Sequence, residues 1–158
     1  MNTIQDTFRY NSVDMAKYII AEAKNRKMMM NITKLQKLLY IVYGVYLSLC
    51  NERLVNELPQ AWPYGPVFPT TRRMFSDYNF VESKVCFPQE MSNNENLVQI
   101  VNFVLTNFGG WTASQLVAWT HKEDSPWTRI RNTKKNFDWG TVIPDEYTKE
   151  FFDNMFAA

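Results

Sequence analysis

Apolar residues recur at helical spacing over most of this chain. Val13, Ala16, Ile20 and Ala23 share one face and predict a helix over 13–24, capped by Ser12 and ended by Lys24, Arg26 and Lys27. Leu35, Leu38, Leu39, Val42, Tyr46 and Leu49 form a longer stripe over 34–50, with Thr33 as its expected cap. Tyr43 and Val45 widen that stripe, so this helix should be buried on more than one side and stand at the centre. Leu97, Ile100, Val101, Val104, Leu105 and Phe108 follow a capping-box pattern at Ser92-Asn93-Asn94-Glu95, and Gly109-Gly110 should stop that helix in a left-handed cap. Thr112-Ala113-Ser114-Gln115 is a second box and opens a helix to about His121. Ser125-Pro126 starts a short helix, and Pro144-Asp145 opens the last, with Tyr147, Phe151, Phe152 and Met155 inward.

Between these helices the pattern changes. Val81, Val85 and Phe87 alternate with Glu82 and Lys84, which predicts a strand over 80–87, with 58–62 as its partner. The segment Ala61-Trp62-Pro63-Tyr64-Gly65-Pro66-Val67-Phe68-Pro69 carries three prolines, three aromatic rings and one glycine. Each proline fixes φ and removes a backbone donor, so no regular helix or central strand should run through it. Pro69 or Thr70 can then open a short helix through about 78. The nine residues form a stiff connector, either an aromatic plug for the core or a preformed binding ledge. Altogether the pattern predicts a mostly α fold (α+β minor). Six or seven helices surround the central one in a compact domain, with a small two-stranded β element. Residues 1–11 read as a short tail and 12–158 as one domain.

Composition narrows the chemistry. The 158 residues include 17 basic and 16 acidic ones, a net charge of +1 that gives no global field for nucleic acid. The basic pairs Arg72-Arg73 and Lys134-Lys135 read as solvated faces. No apolar run is long enough to span a bilayer, and residues 1–10 lack the layout of a signal peptide. With only Cys50 and Cys86, and Cys50 in phase with the apolar stripe, no disulfide framework is expected and a reduced, cytoplasmic setting follows. Met28-Met29-Met30 reads as adaptable filler. One histidine, two cysteines and five glycines in no phosphate-binding pattern supply neither a structural zinc site nor a nucleotide site, so no metal and no cofactor is expected. Any histidine-dependent catalysis would have to use His121, and the adjacent Glu123-Asp124 do not make a facing carboxylate pair. A bland role fits that region: His121 bonds the last carbonyls of one helix, and an acid complements the start of the next.

Three blocks, in order, carry a resemblance. They are Leu35-Gln36-Lys37-Leu38-Leu39-Tyr40, the proline-aromatic segment 61–69, and Trp119-Thr120-His121-Lys122-Glu123-Asp124-Ser125-Pro126-Trp127. Together they resemble the Panacea domain, the family of SocA-like antitoxins and GepA-related phage-associated proteins, over about 12–131. Trp119 replaces the family's usual leucine, and Asp124-Ser125 fill the spacer before Pro126-Trp127. The resemblance implies a non-enzymatic antitoxin of a toxin–antitoxin system that neutralises a cognate protein toxin, encoded by the adjacent gene, through direct binding. Two alternatives stay open: an adaptor that delivers the toxin to an energy-dependent protease, and a phage-associated interaction protein. The family motif, as candidate partner-binding surface, falls on Lys37, Tyr40, Trp62, Tyr64, Gly65, Pro66, Thr120, His121, Glu123, Pro126 and Trp127. Those residues either form the interface or hold the fold. Residues 134–158 lie outside the resemblance.

Overall fold

A computed structural model describes residues 4–133 and 138–157; Lys134-Lys135 therefore lie outside the described residues. The fold is mostly helical, with the helix over 32–50 at its centre, as the apolar pattern predicts. Strand β1 (Gln5–Tyr10) leads into helices α1 (Ser12–Asn25) and α2 (Ile32–Cys50), then β2 (Glu52–Val55), β3 (Gln60–Trp62), β4 (Gly65–Val67) and α3 (Pro69–Phe75). A 3₁₀ turn (Gln89–Asn93) precedes α4 (Glu95–Phe108), α5 (Ala113–Thr120), α6 (Pro126–Thr133), β5 (Thr141–Val142) and α7 (Asp145–Phe156). No helix among the described residues is long and apolar enough to cross a membrane.

Helix α2 packs against α1, α3, α4, α5 and α7, and from Lys34 to Leu47 every residue is buried. One close approach makes this possible. A Cβ at Gly44 would fall 2.0 Å from the ring of Phe152, so only glycine lets α7 lie this near. A second, smaller cluster of Ala61, Trp127, Ile130 and Ile143 ties α6 and β5 to β3.

Several local expectations change. Residues 5–10, expected as tail, form β1, which pairs in parallel with β2 across the α1–α2 connection. Asn11 and Asn31, each one or two residues ahead of the predicted caps Ser12 and Thr33, cap α1 and α2 through their side chains. Asn94 rather than Ser92 caps α4, because Ser92 belongs to the 3₁₀ turn. Gly109 has right-handed geometry (φ −64°), so α4 does not end in a left-handed cap. The Thr112–Gln115 box forms with both of its hydrogen bonds.

Residues 80–87 are not a strand. Asn79 Oδ1 accepts from the Val81 and Glu82 amides and curls the chain into a turn, which leaves Val81 83% exposed. The strands lie instead in two small sheets. Besides β1–β2, β3 is flanked by β4 and β5 in an antiparallel sheet of order β4-β3-β5. Pro66 thus sits in a strand after all, but an edge strand, where the donor it lacks is least needed.

Candidate functional site

The three sequence blocks meet where α2 crosses the β3–β4 turn. Two neighbouring side chains of α2 grip that turn by its backbone. Gln36 Oε1 accepts from the Phe68 amide at 2.7 Å, and Lys37 Nζ donates to the Pro66 carbonyl at 2.9 Å. Both are buried, Gln36 with 2% and Lys37 with 1% of its surface exposed. Gly65, next to Pro66 and beside the Lys37 side chain, has φ +107°, a region L side chains rarely adopt. A Cβ there would also lie 2.6 Å from Thr120 Oγ1 and 3.1 Å from Lys37 Cε. The requirement for glycine is therefore double.

The third block closes the far side. Thr120 ends α5 with its hydroxyl donating to the Val117 carbonyl. Pro126 opens α6, and Ser125 Oγ accepts from the Thr128 amide, the cap the sequence predicts. Trp127 is buried and its Nε1–H donates to the Trp62 carbonyl at 2.8 Å, joining the α5–α6 corner to the turn. His121 lies flat on Trp127, ring centroids 3.7 Å apart and 13° between planes. Its backbone amide, not its ring, bonds the last carbonyls of α5, and its buried Nε2 has no hydrogen-bond partner among the described residues. Burial, followed by the nearby charges of Lys37 and Arg131, pushes the His121 pKa below the ordinary imidazole value. A histidine held neutral and stacked is a packing piece of the corner.

The turn divides plug from ledge. Phe68 is fully buried and meets Tyr43 edge-on at 5.4 Å, so it is the plug. Trp62 is half-buried, while Pro63 and Tyr64 project outward, Tyr64 with 74% of its surface exposed. Beneath this projection lies a cavity of about 390 Å³ lined by Gln36, Lys37, Trp62, Tyr64, Val67 and Arg72, among others. Arg72 is exposed, as a solvated face predicts, and with its guanidinium 5.1 Å from the centre of the Trp62 ring it also stands at the cavity rim. Burial, and to a lesser degree the Arg72 charge, lowers the Lys37 pKa to about 7. A larger open cleft of about 660 Å³ lies elsewhere, between Tyr10 and the start of α4, with Arg9, Glu90 and Glu95 in its lining.

Of the motif residues, Lys37, Trp62, Gly65, Pro66, Thr120, His121 and Trp127 converge here directly. Pro126 stands behind Trp127, and Tyr64 is the exposed tip. Two lie apart. Tyr40 is buried against α7, its hydroxyl 3.4 Å from Thr148 Oγ1 and its ring edge-on to Phe152. Glu123 is exposed and lines a different depression beside α6 and α7, with Asp124, Arg129 and Tyr147. Sequence reasoning missed Gln36 and Arg72. Gln36 carried one usable signal, a polar residue beside a lysine inside an otherwise apolar stripe. It also missed Glu57, whose carboxylate accepts from the Thr70 and Thr71 amides and supplies the cap that Phe68 cannot give α3.

The family model of the antitoxin SocA-like, Panacea domain matches residues 35–128. Antitoxin SocA of Caulobacter vibrioides (strain NA1000 / CB15N) is 32% identical over 130 residues, which span 75% of this chain and 69% of that protein. No solved structure matches the chain. The family match opens at Leu35 on α2 and ends one residue past Trp127, so it contains all three converging blocks. The chain belongs to the SocA-like antitoxin, Panacea-domain family.

Proposed function

We propose that this protein is a cytoplasmic antitoxin that neutralises a protein toxin, encoded by the neighbouring gene, through direct contact around the Trp62–Tyr64 turn. The observation that carries this reading is the turn itself. Its tip is aromatic and exposed, while its root is fixed by Gln36, Lys37 and Trp127. A rigid aromatic projection loses little conformational freedom on binding, and tryptophan, tyrosine and arginine dominate interface energetics. The relative in C. vibrioides is named an antitoxin, which supports the same role. The three blocks then have a divided duty, the buried members holding the turn and Tyr64 and Arg72 presenting it. The protein acts by binding, without catalysis.

Co-expression with the neighbouring gene under separate promoters tests this. Growth arrest by the neighbour alone, with rescue and a copurifying complex when both are made, is the expected result. Rescue without a stable complex, lost in a host that lacks an energy-dependent protease, would replace direct neutralisation by proteolytic delivery. A neighbour that is harmless on its own would overturn the proposed partner.

A further inference from the structure

Positive charge and free donors converge on the cavity under the turn, and no described carboxylate lines it. Lys37 Nζ makes one hydrogen bond, to Pro66, although an ammonium has three hydrogens to give. The Phe68 amide occupies Gln36 Oε1, which fixes which way the Gln36 amide faces; its Nε2, buried, has no hydrogen-bond partner among the described residues. Buried donors are rarely left unsatisfied, and one that lines a cavity calls for an acceptor. Arg72 adds a guanidinium at the rim, stacked over Trp62 rather than paired with an acid.

We propose that this cavity is an anchor pocket for a carboxylate presented by a partner protein, an aspartate or glutamate side chain or a chain-terminal carboxylate. The inference rests on the antitoxin reading only for the identity of the carrier, not for the class of ligand. A carboxylate has about four lone-pair sites, enough for Nζ of Lys37, Nε2 of Gln36 and the fork of Arg72 together. The Trp62, Val67 and Ile32 walls suit the methylene stem of an acidic side chain. They do not suit a strand of solvated phosphates, and a net charge of +1 offers nucleic acid no broader field. The titratable groups around Lys37 are the Arg72 guanidinium and the neutral His121 ring, neither of them an acid, so the arriving carboxylate is the acid that lets Lys37 stay protonated. Binding should therefore take up a proton near neutrality and weaken as pH rises.

The test is an NMR titration of the isotopically labelled full chain with N-acetylglutamate N-methylamide, which carries one side-chain carboxylate and no charged termini. The Gln36 side-chain amide is the reporter, and inorganic phosphate at matched ionic strength is the control. The expected result is a saturable shift of the Gln36 signals, at least tenfold weaker binding at pH 9 than at pH 6.5, and a comparable loss in Arg72→Gln. Arg72 is exposed, so that variant keeps its fold, whereas Lys37→Met is a second variant whose spectrum must first be shown to be native. No saturable shift, an unaltered affinity in Arg72→Gln, or tighter binding of phosphate would overturn the pocket. If co-expression demonstrates an antitoxin while Gln36 does not respond, the pocket alone fails. A responding Gln36 beside a harmless neighbour supports the pocket and removes only the toxin as its carrier.

Discussion

Helix α2 carries two buried polar clusters about two turns apart, and they are completed differently. Around Tyr43 everything is paired. The Tyr43 hydroxyl donates to one oxygen of Asp145, and Arg53 Nε and Nη2 donate to the other at 2.9 and 2.8 Å. Those bonds tie α2 and β2 to the first residue of α7 and leave the Asp145 carboxylate with no free oxygen. Around Lys37 the opposite holds: one bond to Pro66, one to Phe68, and donors left over beside a cavity. A closed cluster is explained by the fold it holds. An open one of the same burial leaves donors for an acceptor that arrives from outside the fold.

The largest effect expected from breaking this comparison is on the closed side. Asp145→Ala removes the partner of a half-buried guanidinium and of a buried hydroxyl, a change that costs about 3 kcal/mol. Chemical denaturation should show that loss, while the affinity of the still-folded fraction for its partner stays the same. The open side should respond in its pH dependence instead. The Lys37 pKa falls from 10.5 in the unfolded chain to about 7 in the fold, so between those values the unfolded state binds the extra proton. Stability should thus rise as pH climbs from about 7 towards 10.5, and Lys37→Met should flatten that rise in a series of melts. The smallest effect on stability belongs to Tyr64→Ala. An exposed tip should change unfolding by less than about 0.5 kcal/mol, yet lower partner affinity roughly tenfold if it is an anchor of the interface.

The two clusters also mark what a sequence can disclose. Short-range chemistry was readable: Thr112 with Gln115, Ser125 with Pro126, and the apolar stripe of α2 each depend on neighbours within a turn or two. The proline-aromatic segment announced a rigid turn, and the structure divides it into the buried Phe68 and the exposed Tyr64. Long-range pairing was not readable. The alternation over 80–87 reads as a strand, but its local turn at Asn79 prevails, and among the described residues no strand pairs with it. Residues 5–10 had no clear alternation and still form β1, because β2 returns alongside. Gln36, Arg72 and Asp145 acquire their roles only when the turn and α7 arrive from elsewhere in the chain. The resemblance reached further than periodicity, since it pointed to most of the residues that converge without showing why they do.

The most direct measurement is calorimetric titration of the neighbouring gene's product into the wild-type protein, Arg72→Gln and Asp145→Ala, with melting temperatures taken on the same samples. An open, partner-facing cluster and a closed, fold-holding one predict a crossed result. Arg72→Gln should bind at least tenfold more weakly with an unchanged melting temperature, and Asp145→Ala should melt earlier but bind as the wild type does. Full affinity in Arg72→Gln, with the binding loss confined to Asp145→Ala, would contradict the division.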